Sequence, residues 1–121
     1  NRPRVKNAFS DDLYLDLIDV MADVASDPSF AALVLTGTGP YFSSGADLKG
    51  GTMMNEDGSA RDTLNIPPGR FMMALIEFPK ILGAAVNGPA VGIGVTLLLH
   101  CDLCYCTEKA TLWAPFTRLA L

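Results

Sequence analysis

An amphipathic helix followed by a short apolar run that ends in glycine occurs twice in this chain, and that repeat of form constrains the fold most. The first instance is "SDDLYLDLIDVMADVASDP" followed by "FAALVLTGTG". Ser10 is the expected N-cap, and Asp11 and Asp12 occupy the first turn, where acidic groups oppose the helix dipole. Leu13, Leu17, Met21 and Val24 form one face, joined by Ile18 and Val20, with Asp12, Asp16, Asp19 and Asp23 on the other. Asp27-Pro28 ends the helix. The second instance is "GRFMMALIEFP", with Phe71, Leu75 and Phe78 on one side and Pro79 as the stop, followed by "KILGAAVNG". Continuous apolar runs bounded by helices read as buried parallel strands. The alternation predicts an α/β fold with right-handed parallel crossovers.

The remaining segments fit that frame. "PYFSSGADLKGG" reads as a loop of small residues, and 50–68 as a polar, mobile loop without period. "VGIGVTLLLHC" reads as a short apolar helix buried all round. "CDLCYCTE" is a third strand, "ATLWAP" a short fourth extended piece, and "FTRLAL" the start of a further element. No domain boundary or internal repeat interrupts the 121 residues.

Composition narrows the function classes. With 50% apolar and 18% charged residues, disorder is excluded, and 121 residues suffice for one core. A formal charge of -4 argues against nucleic acid as a partner. It leaves room for an anionic ligand held by local backbone amides. The apolar run from Val91 to Leu99 is far short of the roughly 20 residues that span a bilayer, so no membrane partner is expected. Cys101, Cys104 and Cys106 lack the paired spacing of a metal site. They read as buried free thiols of an intracellular protein without disulfides, with Cys104 and Cys106 on one side of a strand. No metal is expected.

The residues alone offer three catalytic readings. Gly92-Ile93-Gly94 opens a dinucleotide fingerprint, but Leu97 stands where the third glycine belongs, and no acidic residue follows at the needed distance. Ser43-Ser44-Gly45 lacks the GxSxG elbow of a nucleophilic serine, and the single histidine, His100, ends an apolar helix in a structural position. The third reading uses no side chain. "SSGAD" and "VGIG" each follow a strand, and each leaves backbone N–H groups free. Converging, two such groups form an oxyanion hole. Spacing alone supports equally the plain alternative that these glycines only permit tight turns.

The segments "NRPRVKNAF", "LVLTGTGPYFSSGADLKGG" and "FPKILGAAVNGPAVGIGVTLLLHCDLCYCTEKATLWAPF" resemble the crotonase superfamily of enoyl-CoA hydratases and isomerases, in the family's order. The form "NGPAVGI" with "VTLL" is most similar to the peroxisomal-type Δ3,Δ2-enoyl-CoA isomerases. The resemblance implies a crotonase-like ββα superhelix core, incomplete and lacking the C-terminal helical region. Residues 1–121 are then a partial acyl-CoA-binding domain. It implies an acyl-CoA thioester as substrate, with no separate cofactor. The amides of Ala46 and Ile93 would bind the thioester oxygen. Val5, Lys6, Ser44, Gly45, Ala46, Asp47, Leu48 and Gly92 would contact the substrate.

The same resemblance implies the chemistry. An isomerase takes a proton from C2 and returns it at C4 with one carboxylate; a hydratase uses two glutamates. The hydratase glutamates fall at Thr96 and Phe116 here, and neither moves a proton. The isomerase glutamate is expected beyond Leu121. Asp47 reads as a loop cap, Asp102 as structural, and Glu77 and Glu108 as surface charges. A hydratase with relocated acids, other crotonase chemistry, and a non-catalytic module binding CoA or protein are the alternatives. Family members are longer, and form trimers or hexamers. A eukaryotic source implies a peroxisome or mitochondrion, and a bacterial source the cytoplasm. Without the C-terminal helices, Leu97–Leu99, Trp113 and Phe116 are expected to form an exposed apolar patch on a poorly stable piece.

Overall fold

The computed structural model describes residues 1–47 and 62–119. Helix α1 (Asp11–Ser26) begins where the sequence predicts, with the Ser10 side chain accepting the Leu13 N–H at 3.3 Å. Its far end is held from outside: Lys80 Nζ donates to the carbonyls of Val24 and Asp27, both at 2.6 Å. A cation there satisfies carbonyls that the helix itself leaves unpaired. Met21 and Val24 are buried as expected, and Leu13, Leu17 and Ile18 are half-buried against the core. Val20 departs from its predicted face and is exposed, while Tyr14 takes a core place at 2% exposure. Tyr14 packs with Phe9 and Phe71, ring centroids 5.1 and 5.6 Å away. Burial, with Asp11 nearby, pushes its phenol up to about 12.

Strands β1 (Ala32–Thr36), β2 (Ile81–Val86) and β4 (Leu103–Cys106) form one parallel sheet in the order β1-β2-β4. The register sets Val34 beside Gly83 and Gly83 beside Leu103. A second parallel pair joins β3 (Ala90–Val91) to β5 (Leu112–Trp113). The parallel α/β prediction therefore holds.

Helix α2 (Pro67–Glu77) packs on α1 and buries Phe71 and Leu75. It starts two residues before the predicted Gly69, because proline is well placed in a first helical turn. The expected loop over 50–68 is thus shortened at its end, and its residues 50–61 lie outside those described.

Two strands predicted to be buried are not. In β1 exposure alternates, and all four residues of β4 are exposed, including Cys104 and Cys106. The sheet's inner face carries Leu82, Ala84 and Val86 into the core beneath the helices. Its other face leaves Val34, Ile81, Leu103 and Tyr105 open at 61, 52, 54 and 75% exposure. A parallel strand reads as uniformly apolar because both faces are meant to be covered; among the described residues only one is. Cys101 alone is half-buried, and burial, with Cys104 and Asp102 beside it, pushes its thiol up to about 12.

The helix predicted over 91–101 also divides. Ile93–Thr96 form α3, and Leu97–His100 tighten into a 3-10 turn. Gly94 and Leu97 face the core, whereas Leu99 is 82% exposed. Uniform apolarity conceals which side of such a segment is covered. Leu97 therefore leaves the predicted apolar patch, of which Leu99, Trp113 and Phe116 are exposed.

Candidate functional site

Both glycine-bearing turns leave the carboxyl ends of strands, the side of a parallel α/β sheet where ligands bind. After β1 the chain passes Gly37 and Tyr41 and reaches Ser43. It then runs as a short extended piece beside residues 6–9. The Phe9 N–H donates to the Gly45 carbonyl at 2.9 Å, and the Asp47 N–H donates to the Phe9 carbonyl at 2.8 Å. In this parallel bridge Ala46 lies opposite Phe9, so its own N–H and C=O turn away from Phe9. The Ala46 amide has no hydrogen-bond partner among the described residues, and the residue is exposed.

The second turn follows β3, which comes shortly after β2 in the chain. Gly92 has φ +56° and leads directly into α3. Its amide is engaged with the Trp113 carbonyl at 2.9 Å, and the Val91 amide with the Ser43 carbonyl at 2.9 Å. The next amide, that of Ile93, is the first of α3 and has no partner among the described residues.

The two turns meet. A Cβ built on Gly92 would lie 3.9 Å from the Gly45 Cα. A Cβ on Gly45, whose φ is +91°, would come within 2.9 Å of the Val91 carbonyl oxygen, so only glycine fits there. At Gly45 the structure shows a tight turn and the close approach of one backbone to another.

The other predicted substrate contacts gather at the first turn. Ser44 donates its N–H to the Lys6 carbonyl at 2.9 Å and its hydroxyl to the Val5 carbonyl at 3.3 Å. Val5 and Lys6 are exposed, and Lys6 Nζ stands 4.9 Å from the centre of the Tyr41 ring. A cation is thereby held at the outer edge of the turn. Asp47 pairs with Arg2 at 3.3 Å, which agrees with a structural role for that carboxylate. Leu48 lies outside the described residues.

Sequence reasoning missed the residues that hold the first turn in place. Asn7, buried and at φ +54°, donates its side-chain amide to the carbonyls of Thr38 and Tyr41 at 3.0 and 2.9 Å. Asn87 accepts the Gly37 N–H at 2.9 Å and donates to the Gly39 carbonyl at 2.8 Å. Ser43 is buried between both turns. The one available signal was the residue type, since asparagine tolerates positive φ and caps its neighbours.

The remaining candidates lie elsewhere. Asp102 accepts the Leu82 N–H at 2.8 Å at the start of β2, a structural position as predicted. With His100 it lines a cleft of about 640 Å³ at the amino ends of the strands, away from the two turns. Thr96 donates its hydroxyl to the Ile93 carbonyl at 3.4 Å, and Phe116 begins a 3-10 turn. Among the described residues no three His, Cys, Asp or Glu side chains group as metal ligands. No helix among them is long and apolar enough to cross a membrane.

Comparison with known proteins fits this geometry. Mouse peroxisomal enoyl-CoA delta isomerase 3 is 42% identical over 123 residues, covering 99% of this chain and 38% of its own length. An Arthrobacter 4-chlorobenzoyl coenzyme A dehalogenase is 40% identical over 114 residues, covering 91% of this chain and 41% of its own. The structure of Pseudomonas aeruginosa OdaA superposes with a TM-score of 0.87 at 40% identity, over 100% of this chain and 47% of that one. The chain thus spans less than half the length of each. A family model described as enoyl-CoA hydratase/isomerase matches residues 1–121 from end to end, and with the parallel sheet and paired turns above this makes the chain a member of the enoyl-CoA hydratase/isomerase family, with the crotonase fold.

Proposed function

We propose that the protein carrying this chain is a Δ3,Δ2-enoyl-CoA isomerase, and that the amides of Ala46 and Ile93 form its oxyanion hole. The observation that carries this reading is the meeting of the two turns, each with one amide that has no partner among the described residues. The similarity to a mouse delta isomerase supports the choice within the family.

The reaction follows from where charge develops. Removing a proton from C2 of a 3-enoyl-CoA pushes the C–H electron pair toward the thioester carbonyl and builds an enolate. Two preorganised N–H donors stabilise that oxygen, and the loss of one such donor costs about 2.7–4 kcal/mol. The proton then returns at C4, the double bond moves into conjugation, and no electrons are gained or lost. No separate cofactor is required. Val5, Lys6, Ser44, Gly45, Asp47, Leu48 and Gly92 would contact the CoA thioester. Neither Asp47, engaged with Arg2, nor Asp102, engaged with the Leu82 amide at the start of β2, is assigned the proton transfer. Trimeric or hexameric assembly and a peroxisomal location belong to the same reading.

The dehalogenase similarity favours a second reading, another crotonase chemistry on the same amide pair. A hydratase is less favoured, since Thr96 and Phe116 occupy the positions of its acids. The deciding experiment supplies a 3-enoyl-CoA and follows the appearance of the conjugated 2-enoyl thioester by absorbance. Conversion supports the isomerase. No conversion of the 3-enoyl-CoA together with hydration of a separately supplied 2-enoyl-CoA rejects it in favour of a hydratase, and tight CoA binding with neither conversion rejects it in favour of a binding module.

A further inference from the structure

We propose that Ser43 is the positioning residue that fixes the Ala46 and Ile93 amides relative to each other, an inference that rests on the oxyanion reading above. Ser43 is 1% exposed and touches both turns by different atoms. Its hydroxyl accepts the Gly45 N–H at 3.1 Å and donates to the Asn7 carbonyl at 2.9 Å. Those two bonds use the full donor capacity of the hydroxyl and consume the Gly45 amide, so the next amide, that of Ala46, is the one left to a ligand. Its main chain faces the other way. The Ser43 N–H donates to the Pro89 carbonyl at 3.3 Å, and its C=O accepts the Val91 N–H at 2.9 Å. A Cβ added to Gly94 would lie 3.0 Å from the Ser43 Cβ and 3.4 Å from its carbonyl oxygen and Oγ. The residue after Ile93 is therefore seated directly on Ser43. One side chain sets the first donor, and the same residue's backbone and Cβ set the second.

Removing the hydroxyl leaves the Gly45 N–H and the Asn7 carbonyl buried without partners. The first turn then relaxes toward new partners, and small displacements of donors have large effects on a developing charge. The residue lies beneath the ligand surface, so substrate affinity is not its concern.

The test uses the whole protein that carries this chain, with Ser43→Ala and Gly94→Ala compared with the unsubstituted form. The measurements are kcat, KM for a 3-enoyl-CoA, and the carbonyl stretch of a bound enoyl-CoA thioester. Ser43→Ala is expected to lower kcat about 10- to 100-fold with KM changed less than about twofold. The bound carbonyl frequency should return most of the way to its value in water. Gly94→Ala, which presses on Ser43 without removing a hydrogen bond, should move both quantities in the same direction by less. A folded Ser43→Ala protein with an unshifted carbonyl overturns the proposal, whatever its kcat. If Ser43→Ala does not fold, an unchanged carbonyl frequency and kcat in folded Gly94→Ala overturns it. Absence of any carbonyl displacement in the unsubstituted protein overturns the amide-pair reading itself, a different failure from the first two.

Discussion

The first turn, from Gly37 to Asp47, adds several side-chain anchors to its main-chain bonds, whereas the second, through Ala90 to Gly94, relies on main chain. Ser43, Asn7, Asn87 and the Arg2–Asp47 pair all anchor the first. The second is carried by the β3–β5 ladder, with the Ala90 amide on the Thr111 carbonyl at 2.8 Å and the Gly92 amide on Trp113. Two turns that approach each other at Gly45 and the Val91 main chain are thus held in different ways. One is exposed to single substitutions at many places. The other, Ser43 and Gly94 apart, offers few side chains whose substitution would loosen it.

Substitutions sharpen that contrast. The largest effect is expected from Ile93→Pro, which deletes the donor of the second turn. Ile93 is the first residue of α3, where proline is tolerated, so the fold should survive. Turnover should fall by about 10²- to 10³-fold, with circular dichroism unchanged. Retained turnover would remove Ile93 from the site. Asn7→Ala attacks the first turn through its anchor instead. It strips the Thr38 and Tyr41 carbonyls of a buried donor and puts a less tolerant residue at positive φ. Stability should drop by about 1–3 kcal/mol, read as a lower urea midpoint, with a smaller loss of turnover. Equal sensitivity of the two turns to truncations of this kind would erase the distinction. The smallest effect is expected from Thr96→Ala, whose hydroxyl makes one long bond within α3. Turnover within about twofold of the original is the expected result; a fall like that of Ile93→Pro would give the Thr96 hydroxyl a share in the chemistry.

The difference between the turns also explains what could be read in advance. Local signals were legible: the Ser10 cap, the end of α1 at Asp27, and the glycines at 45 and 92 that permit close approach. So were the parallel strands, because helix–strand alternation leaves few alternatives. The anchors of the first turn were not legible. Asn7 reaches residues 31 and 34 positions away, Ser43 one at 36, and Asn87 one at 50. Bonds of that span leave no periodicity along a chain. Burial was misjudged for a related reason. Val34, Leu103 and the exposed cysteines sit in apolar runs that promise cover on both faces, and cover depends on what else is present. Leu97 erred the other way, since its turn places it inward while Leu99 points out.

The close approach of Gly45 to the Val91 main chain has one more consequence. Where two backbones touch with no side chain between them, their separation is a dimension of the polypeptide itself, like the thickness of the peptide plane. Replacement of neighbouring residues can change the charge, shape and reactivity of whatever surrounds that contact, yet has no handle on its width. Such a part acts as a fixed gauge: chemistry around it is free to diversify, and the spacing of the two turns stays where the main chain sets it.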